Sequence, residues 1–126
     1  MAIKFKVIQK KNPRDLNAPA RWYARAISDG DTTLTDLADY ASETSTVSKA
    51  DILAVLESTL TKISKDLSNG RIVRVGEYFT LQMSVSSNPS NTEDEVTSSN
   101  IKKSKINFRP EKMLSDMIKL ATYQKK

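Results

Sequence analysis

The feature that most constrains this chain is a long amphipathic helix pattern that carries both a start signal and a stop signal. Ser48 stands three residues before Asp51, a spacing at which the serine hydroxyl caps the first turn and the carboxylate lies near the positive helix end. The pattern closes at Asn69-Gly70, which is typical of a left-handed C-cap. Between these signals the apolar stripe comprises Ile52, Leu53, Val55, Leu56, Leu60, Ile63 and Leu67. A stripe of this width and length requires a second layer or a dimer partner to cover it.

Shorter patterns flank this helix. Thr33 or Thr35 can cap a preceding short helix, whose apolar face holds Leu34, Leu37, Ala38 and Ala41. After Gly70 the period changes to that of strands, with two antiparallel strands around a corner at Gly76-Glu77. The second of these strands alternates cleanly, its apolar positions being Phe79, Leu81, Met83 and Val85.

A polar stretch, residues 84–100, then leads into a cationic segment that reads NIKKSKINFRPEK over residues 100–112. The polar stretch is rich in Ser, Thr and Asn and includes three adjacent acids, so it predicts an exposed arm or loop. The cationic segment predicts a returning strand with Ile106 and Phe108 inward and Lys105, Asn107 and Arg109 outward. Pro110 fits the first position of a last helix. Lys and Arg on one side of a strand, beside the amides of a helix N-terminus, suit phosphate oxygens.

The N-terminal segment predicts a β-hairpin over residues 3–28. Apolar and charged residues alternate from Ile3, and a second strand follows turn residues that include Pro13 and Pro19. Trp22 and Tyr23 in this second strand point to opposite faces, and either can stack on bases. The interpretation we favour for Trp22 is an anchor in a core or an interface.

Composition excludes many kinds of chemistry. The 126 residues contain no cysteine and no histidine, so disulfides, thiolate or imidazole metal sites and serine–histidine triads are excluded. The three glycines are too far apart for a phosphate-binding loop. We therefore expect no enzyme activity, no cofactor, no metal and no small-molecule substrate. The sequence lacks a membrane-spanning apolar run and a signal-peptide pattern, so a cytoplasmic protein is expected.

Positive charge is concentrated at the two ends of the sequence. Residues 1–25 hold seven Lys or Arg and one acid, residues 26–70 hold three and eight, and residues 71–126 hold ten and six. If the two basic segments share a surface, the fold has a cationic face that suits nucleic acid. Ordinary solvated surfaces explain the charge equally well.

Three short stretches carry a resemblance to a known family. Ser48-Lys49-Ala50-Asp51-Ile52 resembles the capped start of the second helix of the HU/IHF family of bacterial histone-like proteins. Val75-Gly76-Glu77-Tyr78-Phe79-Thr80-Leu81 is similar to the family's strand corner, and Phe108-Arg109-Pro110-Glu111-Lys112 to its Phe-Lys-Pro-Gly-Lys signature. The resemblance covers residues 33 to about 122, and the whole chain resembles the HU-related branch with an N-terminal extension.

The resemblance implies an α+β fold, an HU/IHF-like intertwined dimer whose helical base lies under a β-saddle with protruding arms, plus an N-terminal β-hairpin. It implies one HU-like domain over residues 1–126: a β extension at 1–32, two helices at 33–70, a sheet at 71–109 with its arm at about 84–105, and a helix at 110–122. By position, the implied DNA-binding residues are Lys102, Lys103, Lys105, Arg109 and Lys112, with Asn88 and Pro89 as a possible arm tip. The implied function is sequence-tolerant binding of double-stranded DNA by a nucleoid-associated homodimer.

Departures from the family pattern leave a second function open. Residues 76–100, which include most of the arm, contain no basic residue, and Glu93, Asp94 and Glu95 would be repelled by phosphate. Phe79 replaces the corner glycine, and Glu111 replaces the glycine after the proline. The alternative is an HU-like structural or protein-interaction module with weak or lost DNA binding. The lysines at positions 4, 6, 10 and 11 also make a second DNA surface conceivable.

Overall fold

The computed structural model describes residues 2–126. In this part of the chain the elements are β1 (Ile3–Lys10), β2 (Arg21–Ala26), α1 (Leu34–Glu43), α2 (Lys49–Ser68), β3 (Val73–Val75), β4 (Phe79–Ser87), β5 (Ile101–Pro110), α3 (Lys112–Lys119) and β6 (Tyr123–Lys125). Two short 3-10 helices, Glu93–Glu95 and Ser98–Asn100, lie between β4 and β5. The mixture of helices with two three-stranded sheets agrees with the predicted α+β class.

The chain divides into two compact units, which we describe separately. The N-terminal unit comprises the residues up to Thr33 together with Met117–Lys126, and the central unit is Leu34–Asp116. No helix in the described part of the chain is long and apolar enough to cross a membrane.

The N-terminal unit is built on the sheet β2–β1–β6. β1 and β2 form the antiparallel hairpin that the alternating sequence predicts, while β6 adds to the other edge of β1 in parallel orientation. Ile3 N donates to Thr122 O at 2.8 Å and Lys126 N to Phe5 O at 3.0 Å, which fixes the C-terminal residues to this edge. The sequence predicts a last helix up to residue 122, but α3 ends at Lys119 and the short strand β6 begins at Tyr123.

The helices of the central unit begin and end on the signals found in the sequence. Ser48 Oγ accepts from Asp51 N at 3.2 Å, so the serine caps α2. At the other end, Gly70 adopts a φ of +80°. Its amide donates to the carbonyl of Leu67, and the amide of Arg71 donates to the carbonyl of Asp66. These paired bonds are a Schellman motif, which satisfies the last helical carbonyls. An ion pair of 2.8 Å between Lys49 and Asp39 joins α2 to α1.

The second sheet, in the order β3–β4–β5, is antiparallel and turns its apolar face toward α2. Leu81 and Met83 of β4 and Ile106 of β5 line a shallow apolar cleft together with Leu60 and Ile63 of α2. Gly76 has a φ of +52° in the β3–β4 turn, a conformation that favours glycine. Pro110 ends β5 rather than beginning the helix, because it pairs with Phe79 at the end of the ladder.

The core of a single chain is very small. Among the described residues, only Ala38 and Leu67 are buried apolar side chains. By contrast, Leu60 is 50% exposed, and Val85, Ile106 and Phe108 are each more than half exposed. Much of the apolar surface that the helix and strand patterns predicted therefore lacks cover within one chain.

Candidate nucleic-acid interface

The outer face of the sheet β3–β4–β5 carries the basic residues that the sequence singled out. Lys103, Lys105, Asn107 and Arg109 alternate with Ser104, Ile106 and Phe108 along β5, and side chains alternate between the two faces of a strand. Their ladder partners on β4 are, in the same order, Ser86, Ser84, Gln82 and Thr80. Since opposed residues share a face, this polar face is the one turned away from α2. We call it the β5 cationic face.

Lys102 occupies an irregular position on the same strand. Ser86 pairs with Lys103 and Ser87 with Ile101, so Lys102 is the extra residue of a β-bulge. The alternation of faces breaks at this point, and Lys102 falls outside the ladder. Lys102, Lys103 and Lys105 form no ion pair with any of residues 2–126, so their charges are available to an external anion.

Two hydroxyl groups lie between these lysines. Ser84 Oγ and Ser86 Oγ are buried and make no hydrogen bond within residues 2–126. Ser84 is paired with Lys105 and Ser86 with Lys103, and the four residues line one small cleft. Buried polar atoms without a partner are costly, so this part of the sheet leaves two hydrogen-bonding groups unsatisfied next to two lysines. No pattern in the sequence predicts this arrangement.

Arg109 is engaged within the chain. Its Nε and Nη2 donate to Glu111 Oε1 at 3.0 and 2.8 Å, and Thr80 Oγ1 donates to the same oxygen at 2.7 Å. These bonds, from Thr80 first and then from Arg109, hold the pKa of Glu111 below its ordinary value, with the nearby charge of Arg74 acting in the same direction. Glu111, which stands where the family pattern has glycine, therefore neutralises a residue of the implied DNA site.

Lys112 is likewise paired. Its Nζ lies 3.0 Å from Asp116 Oδ2, one turn along α3. The backbone of this corner is also occupied, because Glu111 N donates to Tyr78 O and Met113 N to Glu77 O, each at 2.9 Å. The expectation that amides at the start of α3 serve a phosphate oxygen therefore does not hold for these two.

Asn88 and Pro89 lie directly after β4, at the base of the loop that spans residues 88–100. Asn88 N donates to Asn100 O at 2.7 Å, and Asn100 Nδ2 donates back to Asn88 O at 3.2 Å, which closes the loop. Pro89 is exposed. The acidic 3-10 helix Glu93–Glu95 lies further out in the loop sequence than either residue.

The site residues therefore fall into two groups. Three lysines on or beside the bulged half of β5 are free of acids, whereas Arg109 and Lys112 near the α3 corner are each bound to one. The sequence did not identify Ser84, Ser86 or the role of Glu111 in restraining Arg109.

A helix on one face of an antiparallel sheet, whose other face carries basic residues on a returning strand, agrees with an HU-like domain. The sequence matches, over residues 1–125, the family described as HU domain fused to wHTH, Ig, or Glycine-rich motif, and the chain belongs to this HU-HIG family. The match extends beyond residues 33 to about 122, where the motifs resemble HU/IHF proteins, and includes the predicted N-terminal extension.

Comparison with solved structures supports the same fold. The chain superposes with a TM-score of 0.69 on the crystal structure of a protein from Bacteroides vulgatus ATCC 8482, which is provisionally described as a bacterial DNA-binding protein. The identity is 11%, and the superposition covers 98% of this chain and 48% of that protein. The chain thus spans about half the length of that structure. No curated protein matches the sequence.

Proposed function

We propose that this protein binds double-stranded DNA with little sequence preference, through phosphate contacts made by the β5 cationic face and the adjoining Lys102. The observation that carries the proposal is the cluster of Lys102, Lys103 and Lys105 on and beside an exposed sheet face, where none of the three forms an ion pair with any of residues 2–126. Lys side chains that neutralise phosphates release counterions from the DNA, and the binding free energy gained in this way does not depend on the DNA sequence. Membership in an HU-containing family and the assignment of the Bacteroides protein agree with DNA as the partner.

Within this proposal the predicted site residues contribute unequally. Lys102, Lys103 and Lys105 make the main contacts, while Arg109 and Lys112 contribute only as far as their ion pairs with Glu111 and Asp116 open. Asn88 and Pro89 lie at the base of an acidic loop. Because phosphate repels such a loop, we expect the arm to wrap around DNA less than a basic arm would. The expected role is that of a histone-like, nucleoid-associated DNA binder rather than an enzyme.

We also propose that the working unit is a homodimer. Several of the apolar residues that one chain leaves exposed lie on α2 and on the inner face of the β4–β5 pair, including Leu60, Val85, Ile106 and Phe108. An intertwined dimer, in which helices form a shared base beneath a β-saddle with two arms, would bury these surfaces. It would also place two β5 cationic faces on one assembly and double the number of phosphate contacts.

The DNA proposal is tested by anisotropy with a labelled random-sequence duplex. The variant replaces Lys102, Lys103 and Lys105 with Ala, and its matched control replaces Lys49, Lys62 and Lys65 of α2. Both lose the same charge, so equal weakening in the two would overturn the assignment to β5. The expected result is a large loss for the β5 variant, together with a salt slope reduced by about 0.9 per lost contact.

The dimer proposal is tested by light scattering coupled to gel filtration. The mass of two chains is expected, and a Phe108→Asp substitution should shift the mass toward one chain because a charge would enter the proposed interface. A single-chain mass for the wild-type protein over the full concentration range would contradict it.

A further inference from the structure

The β1–β2 hairpin of the N-terminal unit places its charged residues on one face. Alternation along β1 and β2, with the observed register, puts all five basic residues of the two strands on one face of the sheet. The members of this N-terminal cationic face are Lys4, Lys6, Ile8, Lys10, Arg21, Tyr23 and Arg25. The other face of the pair carries apolar side chains apart from Gln9, and neither strand contains an acid.

This arrangement works against the stability of the sheet. Lys6 stands directly opposite Arg25, and Lys10 directly opposite Arg21. Like charges at directly opposed positions destabilise a strand pair. Within residues 2–126, only Lys4 of the five has an acidic partner, Asp29 at 3.4 Å. A bound polyanion would neutralise these two like-charge pairs and so stabilise the hairpin.

An aromatic ring lies between the two charged pairs. Tyr23 pairs with Ile8, and this pair lies on the same face midway between the Lys6–Arg25 and Lys10–Arg21 pairs. Tyr23 is 47% exposed. Lys10 Nζ stands 5.9 Å from the centre of the Tyr23 ring. Lys6 and Lys10 are four residues apart, or about 13 Å along an extended strand. The face therefore offers a half-exposed ring, with Lys10 over one side of it and a cationic pair in each direction along the hairpin.

Single-stranded nucleic acid matches this pattern better than other polyanions. Proteins hold such strands by stacking bases on aromatic side chains while Lys and Arg follow the phosphates. A duplex keeps its base faces inside the stack, so it would use the cations but not the ring. An anionic lipid surface would require apolar side chains that protrude beyond the charges, whereas Ile8 is half-buried in the sheet.

We propose that the N-terminal cationic face is a second nucleic-acid site, which binds a single-stranded segment. A base stacks on Tyr23, and the flanking phosphates lie against the Lys6–Arg25 and Lys10–Arg21 pairs. This site is built from other residues than the β5 cationic face, and its ligand differs in class from the duplex proposed there.

The test uses the full chain with Lys102, Lys103 and Lys105 replaced by Ala, so that the β5 cationic face does not contribute. Binding of a labelled oligothymidylate of about 12 nucleotides, within the site sizes of single-strand binders, is measured by anisotropy. Tyr23→Ala is compared with Tyr123→Ala, which makes the same change on the opposite face of the same sheet, since Tyr123 pairs with Ile3. Tyr23→Phe keeps the ring and guards against a folding defect.

We expect Tyr23→Ala to weaken binding of the oligonucleotide at least about fivefold, the lower end of the measured loss per stacked base. Tyr123→Ala and Tyr23→Phe should retain affinity, and Lys6→Ala with Arg25→Ala should reduce the salt slope by about 1.4, at 0.7 per contact. Equal effects of the two Tyr→Ala changes would overturn the proposal. Absence of oligonucleotide binding, or binding to anionic vesicles alone, would overturn it as well. Duplex binding by the wild-type chain is a separate measurement, so failure here leaves the β5 result intact.

Discussion

Removing the charge of Glu111 should strengthen DNA binding. Glu111 accepts two hydrogen bonds from Arg109, which belongs to the β5 cationic face, and so withholds one cation per chain from phosphate. Glu111→Gln removes the negative charge, while the amide oxygen can still accept from Thr80, whose side chain is otherwise left buried and unpaired. The fold should therefore survive the change.

The size of the effect follows from counting contacts. Three free lysines predict a log–log salt slope of about 2.7 per chain, and a freed Arg109 would raise it to about 3.6. Over a fourfold change in salt, the added slope of about 0.9 corresponds to roughly a 3.5-fold additional change in affinity. We expect Glu111→Gln to bind a random duplex roughly three- to tenfold more tightly at low salt, by the same counting.

Anisotropy across a salt series measures both quantities. Glu43→Gln, at the exposed end of α1, changes the net charge equally at a position away from β5 and serves as the control. Equal gains in the two variants would mean that only net charge matters, and an unchanged affinity for Glu111→Gln would mean that Arg109 does not face the DNA. Either result would refute the reasoning.

Four further predictions concern stability. Replacing both Ser84 and Ser86 with Ala removes unsatisfied hydroxyls, so thermal unfolding should be unchanged or shifted upward; a lower melting temperature would contradict this. Ser48→Ala removes the cap of α2 and should cost about 1 kcal/mol in denaturant unfolding, whereas an unaltered midpoint would show that the bond to Asp51 N contributes nothing. Because the pKa of Glu111 is lowered on folding, its contribution to stability is present above the unfolded value near 4.3 and is lost as pH falls through the lower folded value. The wild-type protein should therefore lose more stability than Glu111→Gln in acid titrations followed by circular dichroism. Parallel curves for the two proteins would contradict a lowered pKa of Glu111 in the folded state. Finally, the melting temperature should rise with protein concentration if the dimer is obligate, and should be constant if one chain folds alone.

The sequence predicted those features that depend on neighbours along the chain. The cap at Ser48 and the stop at Gly70 involve residues within five positions of one another, so residue type and spacing were enough. The alternation of β4 likewise predicted which face carries the apolar side chains. Each of these signals is local, and no tertiary contact overrides it.

Features that depend on distant residues were not accessible to the same reasoning. β6 is only three residues long, too short to show a period, and it is a strand because β1 offers an unpaired edge. The restraint on Arg109 depends on a glutamate that Thr80 also holds, 31 residues away in sequence. The two unpaired serines on β4 become visible only when the register with Lys103 and Lys105 is known.

The central claim is that the unpaired lysines of β5 hold duplex DNA by its phosphates. The most direct test is the salt dependence of wild-type binding to a random-sequence duplex, followed by anisotropy at fixed temperature. With three lysines from each of two chains, affinity should fall with a log–log slope of about 5 as salt rises. A slope near zero, or no binding at the lowest salt, would contradict the claim and would favour a protein-interaction module built on the same fold.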